Sequence, residues 1–158
     1  MRKLLIVSSS SRMTKEPKEP IPAAQRFDGI IMRVTRKYAS KLKNVDILIL
    51  SPTHGLIPPE KKIPYSQPLG GGWKWNKVQF SKDKLEEARV TNLRVLKEIL
   101  SKRQYCEIYV NVGKAMLQLI EGFEEMIPQN AKLTYARGRG IGPKIADMKN
   151  WMESKARC

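Results

Sequence analysis

The chain has 158 residues and a formal charge of +15, with 30 Lys and Arg against 15 Asp and Glu. A hydrophobic content of 41% supports a single folded domain over residues 1–158 and argues against a disordered basic tail. No apolar run reaches the roughly 18 to 20 residues that cross a bilayer, and two cysteines, Cys106 and Cys158, are too few for a disulfide framework or a zinc site. The expectation is a cytoplasmic protein with free thiols, no metal, no cofactor and no membrane partner.

In chain order, Lys3–Val7 (KLLIV) reads as a first buried strand, followed by a polar, proline-punctuated loop over Ser8–Pro22. From Ala23 to about Leu42, Phe27, Ile30, Ile31, Val34 and Tyr38 recur at helical spacing beside a basic outer face. Asp46–Leu50 (DILIL) is a second strand, and Ser81 caps a helix running to about Arg103. Cys106–Val112 is a third strand, Gly113 and Lys114 open a helix that ends before Pro128, and Lys132–Ala136 is a fourth strand. Pro143 suits the first turn of a last helix. This alternation predicts an α/β three-layer sandwich, with a mainly parallel sheet of about four strands and helices on both faces.

Because strands of a parallel sheet point one way, the strand-to-helix loops gather at its carboxyl edge, where open α/β sheets bind ligands. Ser8, Ser9, Ser10, Ser11 and Arg12 supply hydroxyls, N–H groups and a cation for a phosphate. Residues 51–80 form a long irregular stretch holding His54, the only histidine, as the acid–base candidate, and Tyr65, Trp73 and Trp75 as surfaces on which a base could stack. A lone histidine can equally serve a turn, and tryptophans under a long loop can equally pack a core. Arg137, Gly138, Arg139, Gly140, Gly142 and Lys144 form a glycine-rich basic loop that opens a helix, suited to an anion, and Lys114 follows a lesser turn of the same kind. Each is also readable as a plain polar turn.

Residues 1–45 hold eleven basic and three acidic side chains, more than half of the net charge. A basic surface of this size attracts polyanions through phosphate neutralisation and counterion release. Nucleic acid is therefore the leading partner class.

One set of residues carries a family likeness: Ser51, Pro52, Gly55, Leu56, Ile57 and Pro58 at the end of the second strand, Pro64 and Tyr65 after it, then Gly72 and Trp73. With the Ser-rich loop after the first strand, this pattern resembles the domain of unknown function found in archaeosine synthase, the archaeal tRNA-modifying enzyme, over roughly residues 3–115. The resemblance implies a uracil-DNA-glycosylase-like α/β fold and a role in tRNA modification, alone or beside another tRNA-modification subunit. A looser likeness links the same segment to YaaA-type peroxide-stress proteins, which are described as DNA-binding. No transglycosylase barrel, PUA domain or glycosylase water-activating Asp motif is recognisable, so the resemblance implies recognition of tRNA or another nucleic acid. The alternatives are a nucleobase- or nucleoside-processing enzyme of glycosylase-like fold and a DNA-binding stress protein.

Overall fold

The structure, a computed structural model, describes residues 2–10, 12–66 and 81–155. In chain order its elements are β1 (Arg2–Ser8), β2 (Ile21–Pro22), α1 (Ala23–Arg26), α2 (Ile30–Ala39), β3 (Val45–Ser51), β4 (Gly55–Ile57), β5 (Lys62–Ile63), α3 (Lys82–Lys102), β6 (Tyr105–Asn111), α4 (Lys114–Leu117), two 3-10 turns (Gln118–Ile120 and Phe123–Met126), β7 (Lys132–Tyr135) and α5 (Ile141–Glu153). The apolar runs become the centre of a five-stranded sheet of order β4-β3-β1-β6-β7, in which only β4 is antiparallel to its neighbour.

Strand alternation divides the core between the two faces of the sheet. Leu4, Ile6, Leu50, Ile108 and Val110 turn to one face, under α3 and the 3-10 turns, where Leu96, Leu119 and Phe123 meet them. Leu5, Val7, Ile49 and Tyr109 turn to the other, under α1, α2 and α5, against Phe27, Met148 and Trp151. Each fully buried aliphatic side chain contributes about 1.5–3 kcal/mol, so the three central strands hold the layers together. The expected α/β sandwich is therefore present, with five strands in place of about four.

Three local readings are corrected. The helix expected over 23–42 is two helices, because Phe27 adopts an extended conformation and enters the core. Gly29 then packs so tightly on the β1 loop that a Cβ there would lie 2.4 Å from the Cβ of Ser10. The helix expected after Lys114 breaks into short turns, with Gly122 at φ +90°. Cys106 is disulfide-bonded, not a free thiol, and the other cysteine, Cys158, lies outside the described residues.

The stretch after β3 also departs from expectation. It was expected to wall the carboxyl edge throughout, yet β4 carries it back along β3, so that Pro58, Pro59 and Glu60 lie toward the opposite edge. β5 then pairs with β2, and the N–H groups of Ala23 and Ala24 bond to the carbonyls of Lys61 and Pro59. The fully buried Arg26 fixes the loop before it, donating to the carbonyls of Thr14, Pro17, Glu19 and Ile63 at 2.7–3.3 Å. Among the described residues its charge is held by backbone dipoles, without a carboxylate.

Candidate functional site

The sheet order places β6 on one side of β1 and β3 on the other, so the chain reverses its direction of progress across the sheet between β1 and β6. A crevice at the carboxyl ends of such strands is the general ligand position of open α/β sheets. Neighbouring strands lie about 4.8 Å apart, so the loops leaving β1, β6 and β7 begin within roughly 10 Å of one another.

From β1 come Ser8, Ser9 and Ser10, then Arg12, which is exposed. The Ser9 N–H donates to the carbonyl of Leu50, which fastens the loop to β3. Ser10 is a loop fastener: its Oγ accepts from the Gly29 N–H at 3.0 Å and donates to the Arg12 carbonyl at 2.8 Å. That leaves Ser8 and Ser9 as the available hydroxyls. Ser11, Trp73 and Trp75 lie outside the described residues. Tyr65 is half-buried, and the next residue, Ser66, donates its hydroxyl to the sulfur of Met13 at 3.7 Å, which places this segment against the β1 loop.

His54 sits in the turn between β3 and β4. The buried Ser51 Oγ accepts from the N–H groups of Thr53 and His54 at 3.3 and 3.1 Å, so the turn is shaped from within the strand. Burial, with a smaller contribution from the Lys61 charge, lowers the imidazole pKa below its ordinary value. Among the described residues no carboxylate bonds to it. The ring is therefore held in its neutral form and is a weaker base than a free imidazole, and among the described residues no acid orients it.

β6 delivers Asn111 to the same edge. Its side chain is 4% exposed, and its amide donates to the sulfur of Met148 at 3.5 Å. Beyond it, Lys114 is exposed at the start of α4. The loop after β7 is anchored by Asp147, whose Oδ2 accepts from the Tyr109 hydroxyl and, at 3.1 Å, from the Arg137 N–H. Burial first, then this bond to Asp147, raises the Tyr109 pKa far above its ordinary value, so the phenol remains a donor. Gly138, at φ +122°, lets the loop pass 2.5 Å from Pro143 as measured to a notional Cβ.

Gly140, at φ +83°, begins α5 without a side-chain cap, and no acidic residue occupies the first turn. The first-turn N–H groups and the positive end of a 13-residue helix thus face the edge with Arg137, Arg139 and Lys144 around them.

The electrostatics differ between the two edges. At the amino edge, Asp46 receives Arg2, Arg103 and the Tyr105 hydroxyl. At the carboxyl edge, Arg12, Lys114, Arg137, Arg139 and Lys144 have no ion-pair partner among the described residues, whose ion pairs belong instead to Arg2, Arg33, Arg36, Arg89 and Arg103. Asp28, whose N–H donates to the Arg12 carbonyl at 2.9 Å, has its carboxylate bonded to both Arg33 and Arg36, and these bonds pull its pKa well below the usual carboxylate range. That carboxylate is neutralised by two arginines of α2, and no ion pair joins it to the Arg12 guanidinium among the described residues.

Among the described residues no group of three or more His, Cys, Asp or Glu could hold a metal, and no helix is long and apolar enough to cross a membrane. Sequence reasoning missed Asn111, Tyr109 and Asp147, because each sits inside an apolar strand or helix pattern and acts only once the elements pack, and it named Ser51 without its role in shaping the turn.

No family model matches the chain, and no curated protein matches it. It is similar to the solved crystal structure of AF0587, a protein of unknown function, with a TM-score of 0.54 at 16% identity, covering 99% of this chain and 46% of that one. The chain thus spans less than half of AF0587, and at this identity the likeness concerns the fold alone.

Proposed function

We propose that this protein recognises nucleic acid, tRNA before other forms, through the carboxyl edge of its sheet, and serves in tRNA modification beside a catalytic subunit. The observation that supports this reading is the set of five cations at that edge, Arg12, Lys114, Arg137, Arg139 and Lys144, without carboxylate partners among the described residues. Phosphates are the ligands such a set attracts, and their binding releases counterions. Ser8, Ser9 and the open end of α5 add neutral donors to phosphate oxygens. Tyr65 is the described aromatic next to the β1 loop and is the stacking surface for an unpaired base. We place the protein in the cytoplasm, where its substrate would be.

Fluorescence anisotropy of labelled tRNA at low salt, with duplex DNA as competitor and mass spectrometry for any released base, tests the reading. Saturable tRNA binding that equimolar duplex DNA does not displace, with no base released, is expected. Absence of binding at low salt overturns the proposal. Displacement by duplex DNA would favour a DNA-binding stress protein, and a released base would favour an enzyme that extrudes its target base.

A further inference from the structure

Arg26, at the end of α1, is fully buried and has no carboxylate partner among the described residues. A guanidinium carries its N–H donors in a fixed plane. Here they reach carbonyls of two segments that are far apart in sequence. Nη1 donates to Thr14 at 2.8 Å and Nη2 to Pro17 and Glu19 at 2.9 and 2.7 Å, all in the loop after β1, whereas Nε donates to Ile63 of β5 at 3.3 Å. Burying a cation is costly, and charge-assisted bonds to the carbonyls offset that cost. An apolar side chain would fill the same volume without it. What the guanidinium adds is a fixed spacing between the two segments.

Both segments lead to groups of the proposed nucleic-acid surface. Thr14 stands two residues beyond Arg12, and Ile63 two residues before Tyr65. Two residues of chain span at most about 7 Å, so Arg12 and Tyr65 each lie close to a carbonyl that Arg26 holds. On the first side, the Arg12 carbonyl accepts from the Asp28 N–H at 2.9 Å and from the Ser10 hydroxyl at 2.8 Å, and the Thr14 N–H donates to the Arg26 carbonyl at 2.9 Å. On the second, Ile63 pairs with Ile21 of β2, and the hydroxyl of Ser66, next to Tyr65, reaches the sulfur of Met13, next to Arg12, at 3.7 Å. Arg12 is exposed and Tyr65 half-buried, so both side chains are open to a ligand while the chain beside each is held.

We infer that Arg26 is the positioning residue of this surface: it sets the spacing between a phosphate held by Arg12 and an unpaired base stacked on Tyr65, so that the two contacts form together on one strand. This rests on the nucleic-acid reading above and narrows its substrate to single-stranded or looped RNA. A base inside a duplex is stacked on its neighbours and does not present its face to Tyr65, whereas an unpaired base can be splayed out. Arg26 itself touches no nucleotide. It acts through the two segments, whose preorganisation lowers the ordering cost of binding.

Anisotropy of fluorescein-labelled tRNA against salt concentration, on the full chain, tests this. Arg26→Lys keeps the charge, but a single ammonium cannot span the same carbonyls. It should bind about tenfold more weakly and lower the salt slope by about one, the Arg12 contact. Adding Arg12→Gln to it should lower the slope no further. A residue that only stabilised the fold would shift the unfolding temperature and leave the slope of the folded protein unchanged. A double-mutant cycle of Arg12→Gln and Tyr65→Leu leaves Arg26 in place and decides the matter if its variants do not fold. Each change alone should cost about tenfold, and the two together well under the roughly hundredfold loss of independent contacts. An unchanged slope in folded Arg26→Lys, or additive losses in the cycle, would overturn the inference and leave the nucleic-acid reading standing. No binding of tRNA by the unmodified protein would overturn both.

Discussion

Asn92 shows how a residue in a helical pattern acquires a role only in three dimensions. In sequence it is one polar position among several along α3. In the structure it is 2% exposed, its Oδ1 accepts from the Leu56 N–H at 3.0 Å and its amide donates to the Leu119 carbonyl at 3.0 Å. It joins α3 to β4 and to the 3-10 turn, and a Cβ on Gly55 would lie 2.6 Å from its Oδ1. Asn92→Ala leaves two buried backbone groups unpaired, each costing about 1–3 kcal/mol. Urea denaturation should show a loss of roughly 2 kcal/mol or more, and a loss below measurement error would mean that solvent reaches both groups. His54 gives a second test. Above its ordinary pKa of 6.5 the imidazole is neutral whether folded or not; below it the unfolded chain takes up the proton first, because burial and Lys61 lower the folded value. Stability is thus full above pH 6.5 and is lost as the pH falls through the interval beneath it. His54→Gln should flatten stability against pH in that interval, and an unchanged profile would contradict the burial of this ring.

At the scale of elements, the apolar runs made β1, β3 and β6 legible, because a strand buried on both faces needs little more than four or five consecutive apolar residues, whereas β7, an edge strand of exposed and half-buried residues, gave a weaker signal. What was not legible depended on tertiary contact: the break at Phe27, the antiparallel β4, and the β2–β5 ladder held in place by Arg26. The Arg137–Lys144 loop was readable as a turn opening a helix, but its anchor, Asp147, was not, since an acid ten residues away gives no local signal. Two glycines of this loop separate backbone strain from function. Gly138→Ala meets Pro143 in a conformation at φ +122° that side chains rarely adopt, so it should destabilise by about 1–3 kcal/mol and shift the loop. Gly142→Ala meets nothing within 4 Å beyond its chain neighbours, but the Pro143 ring disfavours a helical residue with a Cβ before it, which offsets the gain from restricting the unfolded chain, so this variant should stay within about 1 kcal/mol of the unmodified protein. Thermal unfolding of the two variants checks the difference; equal destabilisation would show that the loop conformation differs from the one described.

For the whole molecule, the net charge of +15 pointed to a polyanion but not to a surface. The direction came from pairing: Asp46 and Asp28 each hold two other arginines, while Arg12, Lys114, Arg137, Arg139 and Lys144 at the carboxyl edge have no ion pair among the described residues. Convergence of the strand-end loops followed from the parallel sheet, whereas the position of the β1–β6 crevice required the strand order, which periodicity does not encode. The most direct test is the salt dependence of tRNA affinity in the unmodified protein and in the double variant Arg139→Gln, Lys144→Gln, with Lys102→Gln at the opposite edge as control. If the carboxyl edge neutralises phosphates, log affinity falls linearly with log salt, and the double variant lowers the slope by about one to two while the control leaves it unchanged. A slope unaffected by the double variant, or lowered equally by the control, would contradict a nucleic-acid surface at this edge.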